Sequence, residues 1–219
     1  MLLNIILSTL GYFAINKIYN AKFNDNKLND KLNANNNLNI INLDLLVSTI
    51  HAILTINVSF LYFTDFINEE TYINLIPITI GYAIYDTWFI NNNKINNRGL
   101  LSVHHFIIVY VNYWLVIHRD YYVLNIVSLH YLTEISTLFL NLSTFLYKNK
   151  LTNIKIYNLK LFDISNYSLI TTFFIFRIAI GTYVIYITAF YNILFYIQAL
   201  MTSLNYYWFY KILKRGKII

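Results

Sequence analysis

Six ionisable or amide side chains lie inside long apolar stretches of this sequence: His51, Asp86, His104, His105, Glu134 and Asn141. An imidazole beside a carboxylate is a proton-accepting unit. The neutral ring takes a proton from an attacking amine or hydroxyl, or itself accepts the group being transferred, and the carboxylate fixes its tautomer and steadies the imidazolium. A charged group in the middle of a lipid-embedded helix costs about 2.5–3.5 kcal/mol even on the cheaper scales. Such groups therefore face a bundle interior or a water-filled cavity, and they mark a candidate site. The plainer alternative stands beside it. A lone membrane Asp or Glu is about as often a hydrogen-bond anchor, a buried Asn such as Asn141 or Asn205 most often bonds a neighbouring helix, and Arg177 either pairs with one of the carboxylates or snorkels.

The elements that must position these residues follow from composition. Of 219 residues 58% are hydrophobic and only 12% charged, with one Pro and five Gly. A soluble domain of this length carries roughly twice the charge and little loop-poor apolar sequence. The chain reads as all-α, a polytopic transmembrane helical bundle. Zero Cys excludes disulfides, thiolate metal sites and cysteine catalysis. Apolar windows fall at 2–18, 43–66, 73–91, 100–117, 121–147, 165–188 and 190–211, each near the length a tilted helix needs to cross the hydrocarbon. The first lacks the charged start and cleavage pattern of a secretory signal and reads as an uncleaved span.

Cations sort cleanly between the connections. Lys17, Lys22, Lys27 and Lys31 follow the first window, Lys94 and Arg98 the third, Lys148, Lys150, Lys155 and Lys160 the fifth, and Lys211, Lys214, Arg215 and Lys217 end the chain. The opposite connections hold only Arg119. The positive-inside rule then gives about seven spans, the N-terminus outside and the C-terminus cytosolic. The basic excess is accounted for by anionic headgroups on the cytosolic side, not by nucleic acid. In this frame Asp86, His51, His104, His105 and Asn141 fall in the cytosolic half of the bundle, with Asn205 and Trp208 beside them, and Glu134 sits mid-span. His130, Glu134, Thr137 and Asn141 are spaced 4, 3 and 4, which places them on one face of a continuous helix.

Five segments carry a family pattern: S-T-I-H-A-I (48–53), G-Y-A-I-Y-D (81–86), His104–His105, L-T-E-I-S-T-L-F-L-N (132–141) and L-N-Y-Y-W-F-Y-K-I (204–212). In this order, over about residues 40–213, they resemble the TLC domain family, which includes ceramide synthases, translocation-associated membrane proteins and small lipid-homeostasis proteins. The resemblance implies three parts: 1–40, a first transmembrane helix and cytosolic connector; 41–213, a six-helix membrane domain; and 214–219, a basic cytosolic tail. It also implies a role in lipid metabolism or membrane lipid homeostasis. The paired histidines are similar to those that serve N-acyl transfer from acyl-CoA to a sphingoid base in the ceramide synthase branch. That branch carries H-D-x-x-D further on. Here the stretch reads T-E-I-S-T, so that Glu134 stands for the first Asp and Thr137 replaces the second, a form closer to the small lipid-homeostasis members.

The expected catalytic set is therefore His104, His105, Glu134 and Asp86, with His51, Asn141, Thr137, Asn205 and Trp208 binding substrate. Acyl transfer at a site opening to the cytosolic leaflet is the expected chemistry. The alternative is a non-enzymatic protein that binds or regulates lipid through the same cavity. No cofactor and no metal are expected, and acyl-CoA would be a co-substrate. Zinc would need three or four of His51, His104, His105 and Glu134 to converge, haem would need His51 and His105 to face one another, and di-iron chemistry would need more than the five histidines present. Expected partners are membrane lipids, acyl-CoA and a sphingoid base, with a homodimer left open. The end Arg215-Gly-Lys217-Ile-Ile219 resembles a dilysine retrieval signal, which would place the protein in the endoplasmic reticulum membrane; the alternative is a basic end that only enforces topology.

Overall fold

The computed structural model describes residues 2–24, 32–93, 98–190 and 192–215. Lys27, Lys31, Lys94 and the tail from Gly216, Lys217 included, lie outside the described residues. Each apolar window forms helix: α1 (Leu2–Asn24), α2 (Leu32–Phe63), α3 (Glu69–Asn92), α4 (Arg98–His118), α5 (Tyr121–Leu132) with α6 (Ile135–Lys148), α7 (Leu161–Thr172) running through a π-helical segment (Phe173–Ala179) into α8 (Ile180–Thr188), and α9 (Asn192–Arg215). Among the described residues, four helical stretches, 42–63, 98–118, 121–148 and 161–188, are long and apolar enough to cross a membrane.

Helix starts follow local chemistry. Asn68 caps α3 by accepting from the Thr71 amide at 2.9 Å, and Glu69 and Glu70 sit in the first turn, where the helix dipole favours anions. Asp120 caps α5, its Oδ1 accepting from the amides of Tyr122 and Val123 at 2.9 and 3.2 Å. That cap lets α4 reverse into α5 across Arg119 and Asp120 alone, with Arg119 in the left-handed region at φ 49°.

Two departures from the sequence reading concern the fold. Residues 121–147 do not form one helix. Thr133 and Glu134 make a tightened turn, with the Glu134 amide donating to Tyr131 O and the Ser136 amide to Thr133 O, three residues back. The Thr133 and Ser136 hydroxyls donate to carbonyls three residues back as well, at 2.6 and 2.8 Å. Such local side-chain bonds compete with the regular ladder, and they break the helix without Pro or Gly. The second departure is a small antiparallel hairpin, Lys155–Ile156 with Leu159–Lys160, exposed in the connection before α7.

α1 docks on α3 at one close approach. Pro77 sits inside α3, and Ser8 Oγ donates to its carbonyl at 2.8 Å. One turn on, a Cβ at Gly81 would land on Ser8 Oγ and lie 2.8 Å from the Thr9 backbone nitrogen. Gly81→Ala is therefore expected to destabilise the protein by about 1–3 kcal/mol, the usual range for overpacking. Thermal unfolding in detergent measures it, and an unchanged midpoint would show that α1 is not held there.

The core is three clusters around a hollow. Tyr72, Ile76 and Ile80 of α3 pack with Leu115 of α4 and Leu124 of α5. Tyr12, Leu43, Val47, Tyr85 and Phe89 join α1, α2 and α3. Leu169, Phe173 and Ile178 meet Trp208, Phe209 and Ile212 of α9.

Candidate active site in the helix bundle

Between these clusters lies a cavity of about 790 Å³, within the range of small-molecule sites. Periodicity explains how the helices line it. On α2 the lining residues Asp44, Ser48, His51 and Thr55 are spaced 4, 3 and 4, and on α9 Gln198, Met201, Asn205 and Trp208 are spaced 3, 4 and 3. The nine residues expected from sequence, His51, Asp86, His104, His105, Glu134, Thr137, Asn141, Asn205 and Trp208, all lie on its wall. Lys148, Asp163 and Lys211 line the end nearest the basic connections.

The closest imidazole–carboxylate pair is His105 with Asp86, Nε2 to Oδ2 at 3.2 Å, with both residues buried. An ionised Asp86 holds the ring hydrogen on Nε2 and leaves the lone pair on Nδ1. His104 is the more accessible of the two histidines and stands edge-on to Trp208, ring centroids 5.3 Å apart. His51 is stacked on Tyr82 at 3.9 Å and 13°, with the Tyr12 hydroxyl 3.4 Å from its Nδ1. Tyr82 in turn meets His105 edge-on, so the space a haem would need between His51 and His105 is filled by a phenol ring. Among the described residues, no three His, Asp or Glu side chains sit close enough to hold a metal ion.

Asn141 is engaged in packing. Its amide nitrogen donates to Thr49 Oγ1 at 3.0 Å and reaches Leu45 O at 3.4 Å, tying α6 to α2. His130 also lines the cavity and bonds Gln198 Oε1 at 2.7 Å. His130, Glu134, Thr137 and Asn141 all line the cavity, although a turn that holds Glu134 itself breaks span 5 between His130 and Thr137.

Arg177 resolves one alternative left open by sequence. It is buried on the π-helical segment and does not snorkel. Its Nε donates to Ser136 Oγ at 2.7 Å and its Nη2 to Thr137 Oγ1 at 2.9 Å; Glu134 Oε1 lies 3.6 Å away. The Phe173 ring sits 5.3 Å from the guanidinium carbon. Runs of π-helix recur at functional sites because they re-aim side chains from the helix line. Thus Thr137, expected as a substrate ligand, accepts a hydrogen bond from Arg177, and Glu134, expected in the catalytic set, faces it at 3.6 Å.

Sequence reasoning missed Asp44. It lines the same cavity as Asp86. It lies at the start of the second apolar window and reads there as an ordinary interface residue. The signal that could have found it is its 4, 3, 4 spacing with Ser48, His51 and Thr55, the same pattern that drew attention to span 5. The Nδ1 atoms of His104 and His105 and the Oδ1 of Asn205 are buried without a protein partner. An unsatisfied buried polar atom costs about 1–3 kcal/mol, so three of them around one cavity favour a ligand that supplies the bonds.

The sequence has counterparts among known proteins. The family model described as TLC domain matches residues 43–214. This chain belongs to the TLC domain family. A TLC domain-containing protein of Acanthamoeba polyphaga mimivirus is similar to it, 28% identical over 148 residues, which are 64% of this chain and 70% of that relative. No solved structure matches. With its membrane-length apolar helices, the chain is a TLC domain membrane protein, and the cavity lies wholly between helices of the matched region.

Proposed function

We propose that this TLC protein transfers an acyl chain from acyl-CoA to a lipid amine or hydroxyl, as ceramide synthases do with a sphingoid base. The observation that carries the reading is the His105–Asp86 contact of 3.2 Å on the wall of the cavity. The acceptor's nitrogen or oxygen attacks the thioester carbonyl, the new C–N or C–O bond forms, and the C–S bond breaks. The acceptor's proton passes to His105, whose imidazolium Asp86 stabilises, and then leaves with the departing thiolate. His104, the more accessible ring, borders the path of the reacting carbonyl. Apolar wall residues such as Ile108, Val111, Ile170 and Ile197 suit the chain.

The same reading includes the membrane placement. Seven spans, an N-terminus on the far side and a cytosolic C-terminus put the end lined by Lys148 and Lys211 at the cytosol, where the CoA moiety stays. The division into a first helix, a membrane domain over 41–213 and a basic tail, and residence in the endoplasmic reticulum, belong to the same proposal. Reporter tags at the two termini test the orientation, and both tags on one side would remove it.

A purely lipid-binding protein would use the same cavity without turnover. Lipid extraction of the purified protein separates empty from occupied states. The reading expects an acyl chain or acyl-CoA to be retained, in stoichiometric amounts, and released on incubation with a sphingoid base. A retained lipid that no acceptor releases would favour the binding alternative.

A further inference from the structure

The Arg177–Glu134 pair is open and under-bonded on both sides. A guanidinium has five N–H donors. Two are used, on Ser136 and Thr137, and among the described residues nothing accepts from the other three within hydrogen-bond distance. At 3.6 Å Glu134 is beyond the range of a hydrogen bond, and well beyond the roughly 2.7–2.9 Å of a charge-assisted one. The Glu134 carboxylate, for its part, accepts no hydrogen bond among the described residues and does not cap α6. Both side chains line the cavity.

With Arg177 buried and Glu134 half-buried, the pair neutralises charge and leaves its hydrogen-bonding capacity unspent, which is costly in a low-dielectric bundle. The three free N–H groups form a planar fork suited to two oxygens of a phosphate or carboxylate. A lone anion, however, would bring a second negative charge beside Glu134, with Asp44 and Asp86 on the same cavity. A ligand carrying both signs avoids that repulsion and satisfies both partners at once.

We propose that Arg177 and Glu134 form a subsite for a zwitterionic lipid headgroup, with the phosphate on Arg177 and a primary ammonium on Glu134. Ile170, Phe173 and Met201, also on the wall, accept the apolar part. Ser136 and Thr137 hold the guanidinium in plane, and the π-helical segment turns Arg177 inward toward them. This subsite does not depend on acyl transfer. A protein that only binds lipid would use it equally, so the binding measurement stands or falls apart from any turnover assay.

The test is competition binding to the full-length protein in nanodiscs, with three lysolipids of one chain length. Lysophosphatidylethanolamine carries phosphate and ammonium, lysophosphatidate the phosphate alone, and monoacylglycerol neither. The wild type is expected to prefer the first over each of the others by about tenfold or more, since each lacks at least one charge-assisted hydrogen bond that the first can make. Glu134→Gln should lose the preference for lysophosphatidylethanolamine over lysophosphatidate. The double variant Arg177→Gln/Glu134→Gln, which removes both charges together, should bind all three alike. Equal binding of the three lipids by the wild type would overturn the proposal, as would a preference that survives the double substitution. A preference for phosphate with no gain from ammonium would also overturn it, leaving an anion site in its place.

Discussion

Replacing His105 by alanine is expected to lower acyl transfer by about 10²–10⁴-fold, the usual contribution of a positioned general base, while the protein stays folded and keeps its retained lipid. The ring lies at the wall of the cavity, so its loss removes the proton acceptor and opens only a modest void. Asp86→Asn should fall in the same range. An amide in place of the carboxylate no longer favours the Nε2–H tautomer and no longer stabilises the imidazolium. Initial rates with labelled acyl-CoA and a sphingoid base measure both variants, and size-exclusion profiles check folding. A His105→Ala protein with wild-type rates would remove the base from this position and leave the 3.2 Å contact a packing feature.

Arg177→Ala should have the largest effect on stability. It leaves the half-buried Glu134 without its counter-charge and leaves the Ser136 and Thr137 hydroxyls without their donor. Breaking one side of a buried ion pair typically costs about 3–5 kcal/mol, a large part of the stability of a domain this size. Because the loss comes mostly from the stranded carboxylate, Arg177→Gln/Glu134→Gln should recover much of it. A double-mutant cycle on thermal or denaturant unfolding isolates the coupling. Additive single and double effects would mean that the two charges do not depend on one another.

Much of the site was legible because membrane helices penalise stray polar groups. His51, Asp86 and the histidine pair stand out against apolar neighbours, and helical periodicity carries them to one cavity. What was not legible depended on departures from regular helix. Thr133 and Glu134 lie in a run with no Pro or Gly, so nothing in composition signals the turn; it arises from hydroxyls bonding back to carbonyls. The π-helical stretch around Arg177 has no sequence mark either, and its extra residue per turn moves Arg177 off the line a regular helix predicts. Asp44 stands at the start of an apolar window, where a carboxylate is unremarked, although the helix itself begins at Leu32. Glu134 lies 3.6 Å from Arg177, one of the two carboxylate pairings that sequence leaves open for that cation. Asn141 bonds α2 as a packing amide does and lines the cavity as well.

The most direct measurement is turnover by the purified wild-type protein. Isotopically labelled palmitoyl-CoA and dihydrosphingosine are added to protein in nanodiscs, and the lipid products are followed by mass spectrometry. The account predicts a labelled amide that accumulates beyond one equivalent of protein and is absent with His105→Ala. A folded protein that binds labelled chain yet forms no amide or ester with this or any other lipid acceptor offered would contradict the account and leave the cavity as a lipid-binding site.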